Sequence, residues 1–460
     1  MKKKMIAILF VSMFLLTSFS AVGTKINLNQ SYAPEDDIYK KRTLGLIPEE
    51  NPTIRGRSFS GVPPDSFDWR NYNGHDWTTP IKDQGECNSC YAFAATAALE
   101  SVYKIENNKP NLDVDFAEQF IVSCGQECSK TSYNKPYDIR GCAGGSTYST
   151  LEFFNKEGMI KESYFNYQAK DEDSYDEVIC HDKEPGWSVS LIRIHNYGYV
   201  QGTTTPSKTD IKNALIESGP LPTKMYVYED FYGSNSNIAH YPDKTEWPND
   251  VYYHKYGKLV GSGLHAVVIV GFKDDDGVKD GGYWFCKNSW GEEWGIKNPY
   301  DDGNNGGWFK IAYNDCYIRY DTLYLSGIYD PAGVAEIYSG SSLSWKGVKP
   351  GSTITDNFFI QNTGESGSNI KSWSVGRYSP WGSDWTFEPS SGNNLGINDP
   401  AVDVKVTVTA PEGRGVDSDG FIKINTCDCY NSDIIDANVK TTVKSRPLFF
   451  FRLFFNFLFD

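Results

Sequence analysis

Cys90 opens an alanine-rich run, His265 follows about 175 residues later in an apolar stretch, and Asn288 lies just beyond. That order constrains the chain more than its composition does. Tyr91 to Ile105 reads as a helix. Ala92, Ala94, Ala95, Ala97 and Ala98 have high helix propensity, and Phe93, Ala97 and Glu100 sit about a turn apart. Cys90 therefore stands at a helix N-terminus, where unpaired amides and the helix dipole favour a thiolate. Leu264-His265-Ala266-Val267-Val268 reads as a strand, followed by Lys287-Asn288-Ser289-Trp290-Gly291. An imidazolium beside the thiolate would stabilise it, and an amide accepting from the imidazole would fix the ring. Gln84 lies six residues before Cys90, with Gly85 permitting a turn. Its side-chain amide is suited to donate to a developing oxyanion together with the Cys90 backbone N–H.

Each piece alone is weak. A lone cysteine at a helix start is more often structural, and a lone histidine in an apolar strand is more often a core residue. The other five histidines (75, 181, 195, 240 and 254) sit in no comparable frame and read as surface or structural residues.

The joint pattern is stronger. Gln84-Gly85-Glu86-Cys87-Asn88-Ser89-Cys90-Tyr91-Ala92-Phe93, Phe116-Ala117-Glu118-Gln119-Phe120-Ile121-Val122-Ser123-Cys124, Gly141-Cys142-Ala143-Gly144-Gly145, His265-Ala266-Val267 and Asn288-Ser289-Trp290-Gly291 resemble the papain family of cysteine peptidases over about residues 62–325. The resemblance implies Cys90 as nucleophile, His265 as general base and acid, Asn288 as its orienter and Gln84 as oxyanion donor. Trp290 would shield the His265–Asn288 bond. Gly144 and Gly145 would form a wall against which an extended substrate lies, because they carry no side chain. It further implies disulfides Cys87–Cys142 and Cys124–Cys180. Three positions depart from the family pattern: Asn88 in place of Gly, Tyr91 in place of Trp, and Leu264 in place of Asp or Gly. No cofactor or metal is implied. The expected activity is hydrolysis of peptide bonds through a thioester acyl-enzyme. Its rivals are an inactive homologue that only binds peptides, an adhesin-like surface protein and a thiol acyltransferase.

At 460 residues the chain is expected to hold two or three domains. Its net charge of -15 argues against a nucleic-acid partner and leaves protein or peptide substrates. Residues 1–23 read as an export signal, with Lys2, Lys3 and Lys4 before an apolar run from Met5 to Leu16 and small residues after it. A secreted or cell-surface location follows, in which disulfides are permitted. Residues 24–62 are polar and read as a linker or pro-segment. Residues 63–328 form the papain-like region, α+β and two-lobed, with a helical left lobe and a β-barrel-like right lobe. Helices are expected at 91–105, 115–124, 147–157 and 210–218, and strands at 224–227, 265–272, 282–287 and 308–313.

Residues 335–444 show short strand-like runs between Gly, Ser, Asn and Pro turns, which suggests an all-β immunoglobulin-like sandwich. Residues 445–460 form a Phe-rich tail, too short to span a bilayer, that is expected to associate peripherally with a membrane or the cell surface, or to be buried against the β region. Among ten cysteines, Cys286 and Cys316 could pair across adjacent strands, which the sequence does not show. The pairing of Cys128, Cys286, Cys316, Cys427 and Cys429 stays open. Asp274-Asp275-Asp276-Gly277 and Asp301-Asp302-Gly303-Asn304 read as hairpin turns, since neither has the carboxylate spacing of a calcium loop.

Overall fold

The computed structural model describes residues 43–47, 56–131, 137–174, 176–232, 248–296, 306–331, 336–340, 342–364, 366, 368–378, 385–413, 415–418, 420–426 and 432–442. The expected signal, the Phe-rich tail, Cys427, Cys429, His240 and Asp301–Asn304 lie outside them.

The alanine-rich run forms α1 (Cys90–Glu106), whose small side chains let it sink into the interior: Ala92, Ala95, Ala98 and Leu99 are fully buried. The second expected helix begins later. Asp115 and Phe116 stay extended because the Asp115 carbonyl accepts from Glu162 N–H, and Phe116 N–H donates to the Glu100 carboxylate. Helical turns then run through a wide turn at Phe120–Gly125 into α2 (Gln126–Thr131). Next, α3 (Thr147–Lys156) starts at Ser146, whose hydroxyl accepts from Ser149 N–H, and stops before Gly158 at φ 104°. Ser207 and Asp210 form a reciprocal cap on α4 (Lys208–Ser218).

Nine strands precede residue 330 among the described residues: β1 (Gly56–Arg57), β2 (Ser66–Asp68), β3 (Arg193–Val200), β4 (Leu221–Tyr228), β5 (Val251–Tyr252), β6 (Leu259–Asp274), β7 (Gly282–Lys287), β8 (Trp308–Ala312) and β9 (Leu323–Tyr329). One sheet has the order β2-β6-β7-β8-β5 with β4 also paired to β6, and a second has the order β1-β3-β9. Gly56–Arg57 and Phe59, read from sequence as linker or pro-segment, join the region that follows: β1 pairs with β3, and Phe59 is buried against Tyr324. The β6–β7 connection at Asp275–Gly277 is a turn, closed by Gly277 N–H on the Asp275 carboxylate.

Strand β6 places the site. Its side chains alternate between two apolar cores. Ala266, Val268 and Val270 join α1, α3 and Phe120 in one core, while Val267, Ile269 and Phe272 join Met225, Trp284 and Phe309 in the other. Buried ions cross the same seam. Lys82 bonds Glu100 at 2.9 Å and Glu118 at 2.9 Å, and Lys287 donates to the Thr79 carbonyl and hydroxyl.

Beyond residue 336 the expected all-β region is present, with strands β10 (Ile337–Tyr338), β11 (Leu343–Val348), β12 (Thr353–Asn362), β13 (Asn369–Tyr378), β14 (Thr386–Glu388), β15 (Ser391–Gly396), β16 (Val402–Thr409), β17 (Asp417–Ser418), β18 (Phe421–Thr426) and β19 (Ser432–Thr441). They form sheets of order β10-β12-β16-β14 and β11-β19-β18-β13-β15, which enclose one core around Ile360, Val404, Val406, Ile422 and Ile424. This region meets the first through Lys423–Glu127, His181–Asp433 at 3.6 Å, and Glu336, which accepts from Gly186 N–H and Ser188 Oγ.

Candidate active site

Cys90 is the first residue of α1 and is fully buried. Burial pushes its thiol up to about 11, against the opposing pull of the Ala266 and Gly45 backbone N–H groups that face the sulfur. Ala266 is the neighbour of His265 in β6, so the strand that carries the imidazole also touches the thiol. His265 Nε2 lies 2.7 Å from Asn288 Oδ1. The same oxygen accepts from Ser289 N–H at 2.9 Å, which fixes the amide orientation. An amide oxygen only accepts, so Nε2 carries the proton. Nδ1, buried and without a hydrogen-bond partner among the described residues, keeps the lone pair. Burial lowers the imidazole to about 4, against the Asn288 bond, which raises it. Trp290 stacks on the ring, with centroids 4.7 Å apart.

Gln84, six residues before Cys90, is fully buried. Ser289 Oγ donates to Gln84 Oε1 at 2.7 Å, which turns Nε2 the other way. That nitrogen donates to the Cys87 carbonyl at 3.0 Å and to Thr43. The glycine wall is tied down by the Cys87–Cys142 disulfide, and Cys124–Cys180 closes the second bridge. Two of the three departures brace that wall: Asn88 Nδ2 donates to the Cys142 carbonyl at 2.9 Å and Tyr91 Oη to the Gly141 carbonyl at 3.0 Å. The third, Leu264, is buried in the core shared with α1. A side chain at Gly145 would meet the Tyr91 ring at 2.7 Å. Cys286 and Cys316, whose pairing the sequence left open, are both free thiols. Cys286 sits within β7 opposite Phe309, and Cys316 Sγ contacts the Asp315 carboxylate at 3.2 Å. Cys128 is disulfide-bonded.

The groove in front of Cys90 is occupied by the chain itself. Gly145 N–H donates to the Gly45 carbonyl at 2.9 Å, and Ile47 N–H donates to the Gly145 carbonyl at 2.8 Å, a parallel pairing centred on Leu46. Thr43 Oγ1 donates to the Cys87 carbonyl at 2.7 Å. No local signal marks Thr43–Ile47 in the sequence, and none marks Tyr167, which contacts Gln84; Ser289 lies in the Asn288–Gly291 motif, but nothing local marks its contact with Gln84. Among the described residues, no group of three or more His, Cys, Asp or Glu is placed to hold a metal ion, and no helix is long and apolar enough to cross a membrane.

The family model described as papain family cysteine protease matches residues 63–326. The chain belongs to the papain family. It is similar to a cysteine protease of Blomia tropicalis, 27% identical over 51% of this chain and 60% of that one, so the match spans less than two thirds of the mite protein. It is also similar to cathepsin B-like CP1 of Giardia intestinalis, 30% identical over 57% of this chain and 73% of the relative. Among solved structures, it resembles the digestive procathepsin L2 proteinase from Tenebrio molitor larval midgut, at 26% identity, 62% and 78% coverage and a TM-score of 0.44.

Proposed function

We propose that this papain-family chain is a secreted cysteine endopeptidase made in a latent form. Cys90 thiolate attacks a peptide carbonyl, while Gln84 Nε2 and the Cys90 backbone N–H hold the oxyanion. His265 takes up the thiol proton at Nδ1 and delivers it to the leaving amine. Water then cleaves the thioester, with His265 acting again as base. Asn288 keeps the imidazole in the tautomer that leaves Nδ1 facing the chemistry. Extended substrate lies along Gly144 and Gly145.

The observation that carries this reading is the seating of Thr43–Ile47. Extended peptide lies against Gly145, with the Thr43 carbonyl on Gln84 Nε2 and the Gly45 N–H on the Cys90 sulfur. The groove therefore takes a peptide backbone. An epoxide thiol inhibitor and a peptide library test the assignment. A single adduct on Cys90 in processed protein, with peptide cleavage abolished in Cys90→Ala, is expected. Processed protein that neither binds the epoxide at Cys90 nor cleaves any peptide would overturn it.

A further inference from the structure

Gln84 is held by its backbone as firmly as by its side chain. Its N–H donates to the Ser289 carbonyl at 2.9 Å. Its carbonyl accepts from the hydroxyl of Tyr167 at 2.8 Å, on a segment 83 residues away. The same hydroxyl lies 2.7 Å from Ser89 Oγ. Tyr167 has one proton and the Gln84 carbonyl has none to give, so Tyr167 donates to Gln84 and Ser89 donates to Tyr167. The alternative acceptor for Ser89, the Cys87 carbonyl, is 3.5 Å away, too long to compete.

Ser89 is fully buried, precedes Cys90 and occupies the N-cap position of α1, where its side chain makes no capping bond. Its hydroxyl is therefore committed to Tyr167 instead of to the helix. The Tyr167 ring is fixed independently. It meets Phe93, in the first turn of α1, edge-on at 4.8 Å, and Tyr167 N–H donates to Glu162 at 2.6 Å. Burial raises the Tyr167 phenol well above its ordinary value, so the group remains a neutral donor.

This hydroxyl joins the backbone carbonyl of Gln84 to the side-chain hydroxyl of Ser89, the residue whose peptide bond carries the Cys90 N–H. We propose that Tyr167 is a positioning residue, whose hydroxyl sets the separation between the Gln84 amide and the Cys90 N–H. It touches no substrate. It acts on the one dimension that decides whether both donors reach the same oxygen atom. Hydrogen bonds weaken steeply with distance and angle, so a loosened Gln84 loop costs transition-state binding without removing any catalytic group.

This inference rests on the peptidase reading. The test compares two reactions of the same thiol in processed protein. Hydrolysis of a peptide amide develops an oxyanion, whereas alkylation by iodoacetamide displaces iodide at carbon and develops none. Tyr167→Phe keeps the ring and removes the hydroxyl. Amide hydrolysis is expected to fall about 10- to 100-fold, chiefly in kcat, while the alkylation rate stays at the wild-type value. Ser89→Ala, combined with Tyr167→Phe, is expected to add little, since both changes break the same bridge. Unchanged hydrolysis in Tyr167→Phe overturns the proposal. So does a parallel fall in alkylation, which would place the effect on the nucleophile or on folding. Wild-type protein in the same assay separates the two readings. If it is alkylated at Cys90 but hydrolyses no peptide, the peptidase assignment fails and this proposal with it. Wild-type hydrolysis with no loss in the variant removes this proposal alone.

Discussion

Gln84 Nε2 donates to the carbonyl oxygen of Thr43 at 3.2 Å and to its hydroxyl at 3.0 Å. The residue suited to bind an oxyanion thus holds a carbonyl from 41 positions upstream in the same chain, and the groove is filled before any substrate arrives.

Gly45 is the tightest point of that arrangement. A Cβ there would lie 1.9 Å from the Asn88 carbonyl oxygen, a backbone atom that cannot swing away. Gly45→Val is therefore expected to expel Thr43–Ile47 from the groove. Epoxide labelling of Cys90 in unprocessed protein measures this. The variant should label at least about tenfold faster than wild type, since a loss of 1.4 kcal/mol in segment binding already gives that factor. Equal rates would mean that the segment does not block access.

Acid should weaken the fold around the site. In the folded chain burial depresses His265 to about 4 from its ordinary 6.5, and burial raises Cys90 to about 11 from 9.0. A depressed imidazole favours the folded form fully above pH 6.5, and that contribution is lost as pH falls through 4. A raised thiol favours it fully below pH 9, and that contribution is lost as pH rises through 11. The contribution of the two groups to stability is therefore greatest between about pH 6.5 and 9. Between pH 6.5 and 4 the urea midpoint of the wild type should fall further than that of His265→Ala, which lacks the titrating ring. Equal falls in the two proteins contradict this.

Asn288 holds the proton on His265 Nε2, and without it the ring is free to turn or to change tautomer. In Asn288→Ala, kcat should fall on the order of 10²-fold, the lower end of what a positioned acid–base group supplies. KM should change little, because the amide touches no substrate. Steady-state kinetics on processed protein decides, and a loss confined to KM would be inconsistent with an orienting role.

Glu100 is the anionic centre of the buried seam. Burial works against its charge, but Lys82 and then Lys287 outweigh it and keep the carboxyl below its usual range. It also accepts from Thr79 Oγ1 at 2.6 Å and from Phe116 N–H at 3.0 Å. Glu100→Ala strands Lys82 and Lys287 without that partner. A loss of about 3–5 kcal/mol is expected, read as a lower urea midpoint with an unchanged slope. A shift below 1 kcal/mol would mean that water or Glu118 compensates.

Much of the site was legible along the chain, and the reasons are local. The alanine-rich run after Cys90 favours a helix, and the apolar run Leu264–Val268 favours a buried strand around His265. The matched motifs then tied Gln84, Cys90, His265 and Asn288 into one expectation. Less local features misled. The helix expected from Asp115 starts late, because Glu100 and Glu162, 15 and 47 positions away, claim the backbone there. The sequence left the pairing of Cys286 and Cys316 open, and only the fold separates them: one is held within β7 and the other faces Asp315 and Tyr252.

The sequence by itself determined which chemical groups this chain carries and which elements bear them, since helix propensity, period-two alternation and glycine turns act over a few residues. The tertiary structure alone decided how those groups are joined. Ser289 aims the Gln84 amide, Tyr167 bridges Gln84 to Ser89, and Thr43–Ile47 fills the groove. Each of these contacts links segments whose separation in sequence carries no pattern, and each is fixed only when β6 brings the two cores together.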